Sequence, residues 1–353
     1  MNSRTIWLTC VMLIWLTAPV MAQDTNVSVK ESTVPLIQGT LWVLPRTCAQ
    51  WNRGQFEAAI QAQRDVGFRL LWLLNTPSFA PTADGTDVVD TIYSIADAAG
   101  MKVIVDLPQG GWYGKASAED VIAKVTRAAQ DLHQRYGAHT SFYGWYLNYE
   151  INPIRPDGVV ETAYWRQVWK AITDQCHRLA PGSVVTISPF FLLDDTSRRG
   201  FVYLTPEQYA TWWHDTLKET RIDVLMLQDS GEHLAFFTLE QREPFWRAVA
   251  KATREAGAQF WLNVETGEAD VKAWDEYLAL EAQKRIPWRF TPMPWLEQKL
   301  QLAAQCSDGI VNWGYFPFMD PHRTGTDTSF GGTPEQAQAA YNAYQAYYQE
   351  QSR

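Results

Sequence analysis

Two glutamates, each placed at the end of an apolar segment, offer the clearest chemistry in this chain. The first segment reads Tyr143-Gly144-Trp145-Tyr146-Leu147-Asn148-Tyr149-Glu150, and the second reads Gln259-Phe260-Trp261-Leu262-Asn263-Val264-Glu265. Both have the composition of β-strands, whose side chains alternate between faces. In the first, Trp145, Leu147 and Tyr149 suit packing under helices, leaving Gly144, Tyr146, Asn148 and Glu150 on the other face. In the second, Phe260, Leu262 and Val264 form the outer set, and Gln259, Trp261, Asn263 and Glu265 the inner one. Each segment therefore ends in an inward glutamate two residues after an inward asparagine. Such a pair suits glycosidic bond hydrolysis. One carboxylic acid protonates the leaving oxygen, and the other, ionised, attacks the anomeric carbon or activates water. Two carboxylates in one cleft also push their proton affinities apart. Glu268, three residues past Glu265, is the rival for its role.

Around this pair stand candidates for substrate contact. Asp106 ends a third apolar segment with the parity of Ile104. Gln228 and Asp229 end another, and parity does not choose between them. Asp194 and Asp195 follow a further strand by several residues, where capping is an equal explanation. Trp42, Trp112, Tyr113, Trp313 and Tyr315 are candidate platforms for sugar C–H faces, with core packing as the alternative. The chain holds 17 Trp among 353 residues, an excess that either role would explain.

Other chemistries fit poorly. The six histidines form no HxH or HExxH pattern, so no metal set is expected. There is no GxSxG elbow, and no Gly-rich phosphate loop follows a strand. No cofactor is expected. The net charge of −9 and the lack of a basic stripe argue against a nucleic-acid partner.

The elements that must position these residues alternate. Candidate strands are Leu36–Val43, Phe68–Leu74, Lys102–Asp106, Tyr143–Tyr149, Val184–Ser188, Asp223–Gln228, Gln259–Val264 and Gly309–Trp313. Candidate helices are Gln55–Asp65, Thr86–Ala99, Ala118–Tyr136, Val160–Leu179, Pro206–Thr220, Leu239–Ala256, Pro294–Cys306 and Thr333–Tyr348. In the fourth helix, Trp165, Val168, Trp169, Ile172, Cys176 and Leu179 make one apolar stripe. Eight strand–helix units with no spare strand predict an α/β fold, a single (β/α)8 barrel. The connections after the strands are long, aromatic and polar, as in 107–114, 151–158 and 314–332. They mark the face where such barrels carry their sites.

With these residues in place the sequence resembles clan A, the large retaining clan of (β/α)8 glycosidases. Its hallmark is a glutamate on the fourth and seventh strands and a tryptophan ending the eighth. The matching positions are Glu150, Glu265 and Trp313. The resemblance implies that Glu150 is acid/base, Glu265 nucleophile and Trp313 a sugar platform. Gly144-Trp145-Tyr146-Leu147-Asn148-Tyr149-Glu150 also looks like the bacterial domain-of-unknown-function 4434 family of glycosidase-like barrels. One departure is that many clan members have Asn directly before the acid/base, where this chain has Tyr149. The expected activity is hydrolysis of a polysaccharide or oligosaccharide. The alternative is a barrel that binds glycans in the same cleft without cleaving them.

The N-terminus reads as an export signal. Arg4 precedes the apolar run Ile6–Val20, and Val20-Met21-Ala22 suits cleavage before Gln23. The run is shorter than the roughly 20 apolar residues of a spanning helix. Residues 1–22 are thus expected to be removed, leaving 23–353 as an exported, periplasmic or secreted barrel without a membrane span. Cys48, Cys176 and Cys306 would remain, read as unpaired thiols.

Overall fold

The computed structural model describes residues 34–44, 51–76, 86–152, 154–323 and 330–353. The expected signal segment and Cys48 lie outside them. Along the chain the elements are β1 (Gly39–Val43), α1 (Arg53–Asp65), β2 (Leu70–Leu74), α2 (Val88–Ala99), β3 (Lys102–Leu107), α3 (Ala118–Tyr136) and β4 (Phe142–Leu147). Then come α4 (Val159–Leu179), β5 (Val184–Ile187), α5 (Pro206–Thr220), β6 (Val224–Gln228), α6 (Gly231–Leu234), α7 (Leu239–Glu255) and β7 (Gln259–Glu265). The chain continues through β8 (Gly267–Ala269), α8 (Trp274–Ala282), β9 (Trp288–Phe290), α9 (Met293–Cys306), β10 (Gly309–Trp313), α10 (Tyr315–Phe318) and α11 (Pro334–Gln351).

Eight of these strands close a parallel barrel in the order β1-β10-β7-β6-β5-β4-β3-β2. This is the (β/α)8 architecture expected from the alternation. One expectation fails: there are spare strands. β8 and β9 pair antiparallel outside the barrel, and α8 lies between them, all inserted between β7 and α9. Strands of three residues are too short to show a periodicity.

Alternation sorts the barrel strands into two cores. Leu41, Leu70, Trp72, Ile104, Tyr146, Val224, Met226, Trp261 and Val311 fill the interior. Their neighbours Trp42, Leu71, Leu73, Trp145, Leu147, Phe260, Leu262 and Val264 face the helices in a second, larger core. The same parity carries the end of each strand to the mouth. The helices start where the sequence offers caps. Asp87 accepts from the Val89 and Asp90 amides at the start of α2, and Thr205 and Gln208 form a capping box on α5. Cys176 and Cys306 are buried and unpaired. Among the described residues no helix is long and apolar enough to cross a membrane.

Candidate active site

At the C-terminal ends of the strands lies a cleft of about 140 Å3, with Glu150, Gln228, Glu232, His233, Asn263, Glu265, Trp288 and Trp313 on its walls. Leu41 and Trp72 close its base from the barrel interior. The two strand-end glutamates therefore share one cleft. They reach it differently. Glu265 is the last residue of β7, paired in register with Trp313 of β10. β4 stops at Leu147, earlier than expected. The chain then turns tightly, with the Tyr149 amide donating to the Leu147 carbonyl at 2.7 Å. Tyr149 is buried against Trp112, Trp165 and Trp169, and its hydroxyl accepts from the Gly110 amide at 3.1 Å. This anchor leaves Glu150 directed into the cleft, where Gln228 Nε2 donates to its Oε1 at 3.5 Å.

The electrostatics favour protons in the cleft. Glu150 still meets solvent, but the protein around it raises its pKa, and the negative charge of Glu232 raises it further. Glu265 is buried, and burial raises it well above the ordinary carboxylate range. Asp229 adds to the rise, Lys299 opposes it, and Glu232 and Glu150 contribute smaller increments. Its Oε2 has no hydrogen-bond partner in the protein. Glu232 is raised by burial as well, against a hydrogen bond from the Tyr277 hydroxyl at 3.1 Å. His233 is pushed down to about 3 by burial and by Arg199, so it is neutral.

Beneath the cleft a cation is held in the protein. Lys299 of α9 is fully buried, with its Nζ 2.5 Å from Asp229 and 2.6 Å from the Glu265 carbonyl oxygen. Asp229 also accepts from the Glu265 amide at 3.2 Å. Asp229 is thus a buried support for Glu265. Gln228, its neighbour, is the one that faces the cleft. Glu268 is fully buried and off the cleft walls. Arg289, Trp295 and Lys299 lie 3.0, 2.9 and 3.5 Å from its carboxylate. Burial alone would raise Glu268, but Lys299, Arg242 and the hydrogen bonds from Trp295 and Arg289 outweigh it and hold it ionised. Close packing makes this arrangement possible. A Cβ on Gly231 would lie 2.8 Å from the Gly267 carbonyl oxygen and 3.0 Å from Glu265 Oε2.

The remaining expected contacts divide. Trp313 and Asn263 line the cleft, and Asn263 Oδ1 is buried without a partner. Asn148 is half-buried and not among the described residues that line the cleft. Asp106 is buried, accepting from the Asn75 and Thr76 amides at 2.9 and 2.8 Å. It pins the left-handed Asn75 at the end of β2, and burial pushes it up to about 6. Trp42 is a core residue stacked on Phe316 at 4.7 Å, because Leu41 takes the inward position beside Trp72. Tyr315 is also core, edge-on to Phe68. Trp112 and Tyr113 pack edge-on against Trp165 and Tyr164 of α4 rather than over the cleft. Asp194 accepts from the Arg199 amide at 2.8 Å inside its own loop. Sequence reasoning missed Glu232, His233 and Trp288. Trp288 stands 5.5 Å from Trp313 at 48°, so the two form one aromatic wall. The available signal was positional: each lies between a strand end and the next long helix.

Fold and site together define a (β/α)8 barrel with two carboxylates in one cleft, Glu150 just past its fourth barrel strand and Glu265 at the end of its seventh. The family model described as "Domain of unknown function (DUF4434)" matches residues 37–325, and the chain belongs to that family. No curated protein matches the sequence. Among solved structures, it is similar to a candidate alpha-L-fucosidase from Bacteroides thetaiotaomicron, with a TM-score of 0.67 and 18% identity over 90% of this chain and 94% of that one. A beta-galactosidase from the Antarctic haloarchaeon Halorubrum lacusprofundi matches with a TM-score of 0.59 and 10% identity, over 90% of this chain and 58% of that one. A glycoside hydrolase of family 5, subfamily 18, from Streptomyces cattleya, solved with GlcNAc, matches with a TM-score of 0.53 and 15% identity, over 90% and 81%. At these identities the likeness is one of fold.

Proposed function

We propose that this protein is a retaining glycoside hydrolase acting on a polysaccharide or oligosaccharide, with Glu150 as acid/base and Glu265 as nucleophile. The observation that carries the reading is that two carboxylates, one just past the fourth barrel strand and one ending the seventh, line one cleft beside the Trp288–Trp313 wall. The enzymes named among the similar structures act on glycosidic bonds, which supports the same class. In the first step Glu265 attacks the anomeric carbon as Glu150 gives its proton to the leaving oxygen. In the second, Glu150 takes a proton from water as that water displaces Glu265. Burial and the Glu232 charge favour the protonated form of Glu150; at Glu265 burial and Asp229 raise the pKa overall, and Lys299 is the group that favours ionisation.

The test begins with the exported protein on a panel of polysaccharides and aryl glycosides. Glu265→Gln is expected to abolish turnover on every substrate. Glu150→Gln is expected to spare the first step on substrates with very good leaving groups, since acid–base assistance is worth about 10²–10⁴ in rate. Azide is expected to rescue Glu150→Ala as a glycosyl azide of retained configuration. Near-wild-type rates for either variant discard the pair. An inverted product makes Glu265 a general base. Binding without cleavage turns the protein into a glycan-binding barrel.

A further inference from the structure

A second depression shares the barrel face with the cleft. It measures about 510 Å3 and is walled by the segments that follow β5, β6 and β8. Phe236, Phe237 and Trp274 give it an apolar floor, with ring centroids 4.8 Å apart for the two phenylalanines and 5.2 Å for Phe236 and Trp274. Asp195, Arg198 and Lys272 stand exposed around that floor. Flat apolar rings ringed by polar groups match a sugar chain, whose C–H faces need the former and whose hydroxyls need the latter.

The depression is built in advance of any ligand. Arg198 pairs with Asp275 at 2.7 Å, and Trp274 Nε1 donates to the Leu193 carbonyl at 3.3 Å, tying the segment after β5 to α8. Arg199 pairs with Glu281 at 2.9 Å in the same direction. The buried Arg242 donates to the Phe237 carbonyl at 3.2 Å and the Asp229 carbonyl at 3.3 Å, fixing the segment after β6 on α7. A surface held open in this way loses little entropy on binding. The connection 188–205 has no helix or strand of its own, and connections of that length are uncommon in compact domains and usually functional.

The depression and the cleft share no lining residue, but they are neighbours along the chain. One short segment divides them: Glu232 and His233 of α6 line the cleft, while Phe236 and Phe237, three to five residues on, line the depression. The charges around it balance, because Asp275 pairs with Arg198 and Asp195 offsets Lys272. We propose that this groove binds the part of a neutral glycan chain that runs on from the cleft, as a distal set of sugar subsites. The proposal rests on the hydrolase reading for the cleft, and it makes the enzyme chain-binding and endo-acting.

The test uses the full exported chain with Phe236→Ala, which opens the floor, and Lys272→Trp, which obstructs the groove from an exposed position. Native gels are cast with soluble xylan, galactan or β-glucan, and with alginate as an anionic polymer. Retardation by at least one neutral polymer is expected, with at least fivefold weaker affinity in both variants. Hydrolysis of that polymer is expected to fall at least fivefold in kcat/KM, while an aryl glycoside is cleaved within twofold of wild type. Glu265→Gln, inert in hydrolysis, is expected to be retarded as wild type is. The proposal is overturned if no neutral polymer retards the protein, if alginate retards it more, or if both variants bind as wild type does. It is overturned equally if the aryl glycoside suffers as much as the polymer. Groove-dependent retardation without any hydrolysis leaves the groove standing and removes the hydrolase reading instead.

Discussion

Lys299→Met tests whether the buried cation under the cleft sets both the stability and the proton balance of the site. Lys299 and Asp229 are both fully buried, with Nζ and Oδ2 2.5 Å apart. At an effective dielectric near 20 that separation corresponds to a gross attraction of about 7 kcal/mol. Desolvation offsets most of it. Removing one partner, however, leaves an unpaired buried carboxylate and costs about 3–5 kcal/mol. Arg242, 4.0 Å from Asp229, remains as a weaker partner, which places the expected loss toward the lower end of that range. Urea unfolding followed by tryptophan fluorescence is expected to show a loss of that size. The second readout is pH dependence. Lys299 lowers the pKa of Glu265 and Asp229 raises it. Without Lys299, Glu265 holds its proton to higher pH, fewer molecules carry the ionised Glu265 that the proposed mechanism requires, and the acid limb of kcat/KM is expected to move to higher pH. The double variant Lys299→Met, Asp229→Asn removes both charges, and the retained Asn Oδ1 still accepts the Glu265 amide. It is expected to recover stability and to return the acid limb toward wild type. A Lys299→Met variant within about 1 kcal/mol of wild type, or a double variant less stable than the single, refutes the argument.

Trp42→Ala is expected to cost about 3–5 kcal/mol of stability as a buried core truncation, while Trp313→Ala weakens glycan binding and turnover with the fold intact; thermal melts and binding isotherms on both separate the roles. Asp106 rises from 3.8 to about 6 on folding, so its protonation adds stability that is full below pH 3.8 and is lost as pH rises through about 6. Asp106→Asn is expected to flatten stability against pH across that window, whatever its overall cost; an unchanged slope removes Asp106 as the source. Asp97 falls to about 2 on folding, through hydrogen bonds from Ser141, His139 and Thr140 that outweigh burial. Its stabilisation is therefore present above pH 3.8 and lost as pH falls through about 2, and Asp97→Asn is expected to remove that acid sensitivity in urea melts. Export is a proposal carried by Val20-Met21-Ala22: mass spectrometry of the exported chain is expected to find its start within a few residues of Gln23, and an intact Met1 ends it.

What could be read from the sequence followed from how strongly each segment repeats. Ala118–Tyr136, Pro206–Thr220 and Gly309–Trp313 were predicted to the residue, because long apolar stripes, helix caps and full strands all carry a period. Parity placed Trp261 and Tyr146 in the barrel and Trp145 and Phe260 under the helices, as observed. The same rule, applied to β1, would have turned Trp42 outward, since its neighbour Leu41 lies beside the inward Trp72. The aromatic excess hid this, because stacking on a sugar and packing in a core demand the same side chains. The insertion at 266–292 was silent for another reason. Its strands are three residues long, and α8 buries only Trp274 and Tyr277. Glu232 sits on a four-residue helix that shows no period at all.

The contest between Glu265 and Glu268 marks where local pattern stops informing. An odd spacing of three already sets the two carboxylates on opposite faces if the strand runs on, which favours one of them for the mouth without saying which carboxylate keeps its charge. That depends on partners far away in the chain. Arg289 comes from β9, Trp295 and Lys299 from α9, and Arg242 from α7, and together they hold Glu268 ionised in a dry position. The hydrogen bond from Lys299 to Glu265 goes to its carbonyl, while Asp229 pairs with the ammonium directly, and Oε2 of the Glu265 carboxylate is left without a hydrogen-bond partner in the protein. A carboxylate with all its partners in the protein has no acceptor atoms left for chemistry. The one left unsatisfied is held at a cost in stability that a reacting substrate can relieve. Under the proposed mechanism, the choice between these two glutamates rests on which of them faces the cleft with an oxygen the fold leaves unpaired.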